Sequence, residues 1–224
     1  MLTMSCSGDE KEPVMPVVND DFSVSVSGWE GGFADYPQGV EEEWGFSVEE
    51  ASLPSPLNNA QKSLRVSGSN HSDDLFMYLT KQVKMPRGNQ LYRGKFEIEF
   101  ATNAAEGSVG VGGSPAHSVY VGVGLVSVKP EKVLDAADNH YRMNISKIQQ
   151  ASDGADMVVI GDVSNGKETA EYTLVKRTGE FTGKTDENGN LWVIVGTDSG
   201  FEAVTTLYYT GIKVNFEEVK IAFE

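Results

Sequence analysis

The chain has 224 residues, 39% of them hydrophobic and 9% aromatic, with 24 glycines, which describes a packed core cut by many turns at a size that one all-β domain can reach. Its 18 Lys and Arg against 33 Asp and Glu leave a formal charge of -15, which repels phosphate backbones and anionic headgroups and argues against a nucleic-acid partner. A single cysteine excludes an intramolecular disulfide, and no run approaches the ~18 apolar residues of a membrane-spanning helix.

That cysteine, Cys6, lies in Leu2-Thr3-Met4-Ser5-Cys6, directly before the polar run Ser7-Gly8-Asp9-Glu10-Lys11-Glu12-Pro13. A small residue before the cysteine and acidic residues after it resemble the lipidation site and export tether of Bacteroides-type surface lipoproteins. The resemblance implies acylation of Cys6 and attachment to the outer membrane through lipid alone, in the periplasm or on the cell surface. Residues 1–5 are then read as the tail of a signal peptide, since the basic and apolar regions of such a signal are absent. Residues 6–20 lack apolar periodicity and read as a disordered tether, so the folded domain is expected over 21–224.

From Asp21 onward the apolar period is two: Phe22, Val24 and Val26 alternate with serines, as in a strand with one buried and one wet face. Leu64-Val66, Leu75-Met77-Leu79, Phe96-Ile98-Phe100, Val119-Val121-Val123, Tyr141-Met143-Ile145 and Leu174-Lys176 repeat that pattern, and Met157–Ile160 and Leu191–Val195 are continuous apolar runs suited to interior strands. Helix signals are confined to Pro130–Ala137 and Asn58–Lys62, one or two turns at most. Glu187-Asn188-Gly189-Asn190 before Leu191 reads as a hairpin turn. The expected fold is all-β, a two-sheet antiparallel sandwich or jelly roll of about ten strands with little helix.

Several polar constellations are candidates for chemistry. Asn70-His71-Ser72-Asp73-Asp74 enters a strand, and could supply a general base with an orienting acid, part of a metal site, or an Asx-type turn, the commoner use of these residues. Gly196-Thr197-Asp198-Ser199-Gly200-Phe201-Glu202 follows an apolar strand; Asp198 and Glu202 could approach Asp35 or Asp73 to bind calcium or to form an acid/base pair. Asp162-Val163-Ser164-Asn165-Gly166 suits an Asx-turn first, and otherwise hydroxyl recognition or calcium ligation. His71, His117 and His140 are scattered and lack a second cysteine, so no zinc ligand set stands at usual spacing. The glycine-rich Gly107–Pro115 has no Gly-Lys-Ser/Thr and precedes a strand, so it is not a phosphate loop, and Ser114 has no nucleophile-elbow context. Trp29, Phe33, Tyr36 and Trp44 share one irregular segment with acids and glycines; Tyr36 and Trp44 are the candidates for a sugar-stacking platform, against core anchoring of a long loop.

The strings Asp21-Phe22 to Gly28-Trp29, Ser63–Gly68, Tyr92–Phe100 and Leu207–Val214 resemble strands of jelly-roll carbohydrate-binding modules. Gly32–Pro37, Asn70–Phe76, Gly112–Pro115 and Gly196–Glu202 are similar to segments of secreted bacterial proteins, a likeness that implies fold rather than activity. Together these features predict a lipid-anchored envelope protein that binds an extracellular ligand, in the first place a glycan, without catalysis. Tyr36 and Trp44 would form the platform, and Asp35, His71, Asp73, Asp74, Asp198 and Glu202 would read the ligand. No resident cofactor is expected beyond a weak case for calcium. The alternatives are a glycan hydrolase or lyase using Asp73 or Asp198 with Glu202, and a structural or assembly lipoprotein.

Overall fold

The computed structural model describes residues 13–72 and 74–220. Cys6 and Asp73 therefore lie outside the described residues. In chain order the strands are β1 (Val17–Asp21), β2 (Glu30–Ala34), β3 (Tyr36–Pro37), β4 (Ser47–Ser52), β5 (Lys62–Ser69), β6 (Phe76–Lys84), β7 (Leu91–Thr102), β8 (Val119–Val126), β9 (Lys132–Asp135), β10 (His140–Met143), β11 (Met157–Asp162), β12 (Thr173–Lys184), β13 (Asn190–Ser199) and β14 (Val204–Glu218), with one helical turn, α1 (Glu41–Trp44).

Two antiparallel sheets form the expected sandwich. One runs β12-β7-β14-β5-β4, with β1 beside β14, and the other β11-β8-β13-β6-β2. Along the chain β5, β6, β7 and β8 alternate between the sheets, as do β12, β13 and β14, which is the crossing pattern of a jelly roll. The long β14 serves two neighbours on one edge: Val204–Tyr209 pair with β5 and Gly211–Asn215 with β1, on either side of an irregularity at Thr210. Leu64, Val66, Phe96, Ile98, Phe100, Val121, Val123, Val193, Val195, Leu207 and Tyr209 meet between the sheets in one buried cluster. Their spacing of two puts every second side chain into that layer.

The five-stranded sheet is buried on its outer side as well. Phe76, Tyr78, Val126 and Ile194 point away from the main core and pack with Ile145, Ile148 and Met157 in a second apolar cluster. Glycines make the room: a Cβ on Gly122 would stand 2.7 Å from Ile148 Cδ1, so the loop after β10 can lie directly on β8. The small sheet β3-β10-β9 flanks this cover.

Several local expectations are corrected. The ordered sandwich takes in Val17–Asp20, within the expected tether, because β14 offers these residues a free edge and Val18 is buried. Phe22 to Val24 form a turn, and Ser25 and Val26 lie in no strand; Phe22 is buried, whereas Val24 is 83% exposed. Lys132–Asp135 of the expected helix is a strand paired with β10, and Asn58 to Ala60 form turns. The Met157–Ile160 run lies in an edge strand, β11, not an interior one. Gly189 does turn with φ at 81°, but it links β12 to β13 in opposite sheets, so it is a crossover and not a hairpin.

Candidate functional site

The site lies at one end of the covered sheet and is built from three separated segments. β2 ends at Ala34, and Asp35 follows with φ at 64°, a left-handed conformation that Asp tolerates better than most residues. The Asp35 amide donates to the Tyr141 carbonyl at 2.7 Å, and this kink marks the passage from β2 to β3. Asp74 leads into β6. Asp198 comes from β13, where strand alternation sets it on the outer face, with Phe76 of β6 and Tyr120 of β8 as its cross-strand partners.

All three carboxylates converge on Lys147, carried by the loop that covers the sheet. The Lys147 ammonium lies 2.8 Å from Asp35 Oδ2 and 3.9 Å from Asp74 Oδ2, and it donates to Asp198 Oδ2 and, at 3.0 Å, to the Ile148 carbonyl. Its side chain is 11% exposed and that of Asp198 0%. Burial alone would lower the Lys147 pKa, but the fields of Asp198, Asp35 and Asp74 outweigh it and hold the group above 10.5, so the amine is charged and is not a nucleophile. Burial pushes the Asp35 carboxyl up, more than Lys147 brings it down. The second oxygen of Asp198, Oδ1, is buried with no hydrogen-bond partner.

Above this cluster opens a cleft of about 500 Å³, lined by Asp35, Ser72, Asp74, His140, Arg142 and Gln149 among others. Arg142 is held on the rim by Asp138, at 2.6 and 2.8 Å, and by Asp135 at 3.2 Å. The Arg142 guanidinium beside Asp138 keeps that carboxyl low, at about 2. Fixed donors and acceptors of both kinds, on elements held by the small sheet, suit a ligand rich in hydroxyl groups.

The aromatic platform is not at the surface. Tyr36 is 1% and Trp44 3% exposed, because the aromatic segment folds in on itself: Phe33 stacks on Phe46 at 4.2 Å, and Tyr36 lies 4.7 Å from Phe46, 5.9 Å from Trp44 and 5.2 Å from Tyr141. Rings of this size contribute most when they fill the space under a long loop. Burial raises the Tyr36 hydroxyl to about 12, and Lys132 caps it.

Of the expected ligand readers, Asp35, Asp74 and Asp198 come together. Asp198, fully buried against Lys147, faces the protein rather than solvent. His71 is exposed, with its ring 5.4 Å from that of Trp44, in a turn where Ser72 donates to Asn70 Oδ1 at 3.1 Å and Asn70 Nδ2 reaches the Ser199 carbonyl at 2.8 Å. That is the Asx-type turn. Glu202 lies against Gly112 of the glycine-rich loop and is not among the carboxylates that meet at Lys147. Lys147, Arg142 and Gln149 were not singled out from sequence; Lys147 stands 51 residues from Asp198, and only the fold joins them.

Asp162 is a second hub. Its Oδ2 lies 2.8 Å from His117 Nδ1, whose other nitrogen is 3.0 Å from Glu106 Oε2, and the Asp162 carbonyl accepts from Arg177 Nε at 2.8 Å.

The fold and cleft define a β-sandwich module with a charged pocket at one end. No protein-family model matches the sequence, and no curated protein does. Solved structures similar to it include a family 11 carbohydrate-binding module of a Clostridium thermocellum cellulase, at 9% identity, covering 90% of this chain and 95% of that chain with a TM-score of 0.39. A Clostridium thermocellum endo-1,4-β-D-xylanase with its carbohydrate-binding module, complexed with xylohexaose, is 12% identical over 92% of this chain, with a TM-score of 0.39, and the match spans only 29% of the xylanase. The adhesin domain of Lys-gingipain from Porphyromonas gingivalis is 8% identical over 89% of this chain and 98% of that chain, with a TM-score of 0.39.

Proposed function

We propose that this protein is an envelope-attached binding protein that takes a glycan in the cleft beside Lys147, without turning it over. The observation that carries the reading is the convergence of Asp35 and Asp74, from separate segments, on the Lys147 ammonium beneath a polar cleft of about 500 Å³. Sugar hydroxyls both donate and accept, and Asp74, Arg142, Ser72 and Gln149 offer acceptors and donors around one space. Attachment would be through lipid on Cys6, which the polar, acidic run after that residue supports. Detergent phase partitioning of cells producing the wild type and Cys6→Ala tests the anchor: the wild type should enter the detergent phase and the variant the aqueous one.

Isothermal titration with neutral oligosaccharides of hexoses and pentoses tests the cleft. Binding should weaken about tenfold or more in Asp74→Asn and in Gln149→Ala, the loss of one or two buried hydrogen bonds. Unchanged affinity in both variants would place the ligand elsewhere.

A second location is favoured by one observation. The outer face of the six-stranded sheet carries Tyr208 of β14 and Tyr172, packed edge to face at 5.5 Å and both half-buried, with Arg65 directly across from Tyr208. Ser67 and Thr206, hydroxyl to hydroxyl at 2.6 Å, stand in the next row. Selective loss of binding in Tyr208→Ala would assign recognition to this face.

A further inference from the structure

The carboxylates around Lys147 do more than neutralise it. Asp35, Asp74 and Asp198 each bring an oxygen to within 4.8 Å of the others. Two oxygens bound to one calcium ion at about 2.4 Å stand no more than about 4.8 Å apart, so the three can share a single ion. The Ile148 carbonyl, 3.0 Å from the Lys147 ammonium, adds a fourth oxygen. The ammonium occupies the place that such an ion would take, within 4 Å of all three acids.

A further observation points to a ligand beyond the lysine. Asp198 has a side chain of 0% exposure, yet its Oδ1 has no hydrogen-bond partner, an arrangement that is costly for a buried carboxylate unless another ligand meets it. Lys147 lines the cleft itself, so its flexible chain has open space to enter when it leaves the acids.

We propose that Asp35, Asp74, Asp198 and the Ile148 carbonyl form a calcium site for which the Lys147 ammonium competes, so that binding the ion turns Lys147 out into the cleft. The lysine holds the acids in place when calcium is scarce. The ion, when it binds, exchanges one cation for another and adds a positive group to the cleft wall. This exchange stands independently of what the cleft binds.

The competition sets the test. Apparent affinity is reduced by the fraction of molecules in which the site is open, so removing the lysine must tighten calcium binding. Calcium titrated calorimetrically into the chelator-treated full chain should bind Lys147→Met about tenfold or more tighter than the wild type. Adding Asp198→Asn to that variant should abolish the binding. A folded Lys147→Met that binds calcium no tighter than the wild type overturns the proposal, as does binding that survives Asp198→Asn. A measurement on the wild type keeps the test open if the lysine variant does not fold: its thermal midpoint should rise in about 10 mM calcium relative to chelator, and Asp35→Asn should remove the rise. No rise in the wild type at that concentration also overturns it.

Discussion

Lys147 and Asp198 form a buried ion pair that fastens the covering loop to the outer face of the five-stranded sheet. The ammonium also lies 5.1 Å from the centre of the Phe76 ring, in the same row of the sheet as Asp198. Breaking a buried pair from one side leaves a charge that nothing offsets, at a cost of about 3–5 kcal/mol. Lys147→Ala in chelator should therefore lose about that much stability in urea unfolding. The contribution also has a pH signature. Lys147 is raised above 10.5 in the folded protein, so its stabilisation is complete below pH 10.5 and falls as pH rises through the folded value. Starting from neutral pH, the difference between wild type and Lys147→Met should hold up to pH 10.5 and shrink above it, and a difference constant through strongly alkaline pH would contradict it.

Trp44 is a core residue and should behave as one. It is 3% exposed, packed beside Tyr36 and Phe46. Trp44→Ala is expected to lower unfolding stability by about 3–5 kcal/mol, the usual cost of emptying an aromatic site. A loss under about 1 kcal/mol would mean that the ring is not packed as described.

His117 sits between Asp162 and Glu106. The hydrogen bond to Asp162 is the main cause that lifts its pKa above 6.5. Stabilisation from the charged ring is thus present below pH 6.5 and lost as pH rises through the raised value. An NMR titration should place the His117 midpoint above 6.5, and Asp162→Asn should bring it down toward that value. A wild-type midpoint at or below 6.5 would refute the bridge.

Gly122 tests how the covering loop is seated. A side chain there meets Ile148 at 2.7 Å, so Gly122→Val should lift the loop and cost about 1–3 kcal/mol by overpacking. The loop should then open more often, and trypsin should cut after Lys147 faster than in the wild type. Unchanged cleavage would show that the loop does not rest on that glycine.

The sandwich was legible because its signals are local. Alternation in Phe96-Ile98-Phe100 and the unbroken Leu191–Val195 both report burial that strands impose every second residue or throughout. Val121-Gly122-Val123-Gly124 carried more than was read from it: the second face bears glycine rather than polar residues, which marks a face that is covered rather than wet. Pro130–Ala137 misled because proline before Glu and Lys suits a helix start, whereas pairing with β10 decides the strand. The aromatic segment held four rings with no strand period, and only packing against Phe46 and Tyr141 shows why Tyr36 is inside. Asp35, Asp74 and Asp198 were recognisable as polar strings, but their meeting point was not, since Lys147 belongs to a different loop and has no motif around it.

The central claim, that the cleft beside Lys147 binds a glycan, is tested most directly by following backbone amides in two-dimensional NMR while neutral oligosaccharides are added. The account predicts saturable shifts confined to the amides of Ser72, Asp74, His140, Arg142 and Gln149 and their neighbours, and their loss in Asp74→Asn. Shifts centred instead on Tyr172, Thr206 and Tyr208, or no shifts with any oligosaccharide, would contradict it.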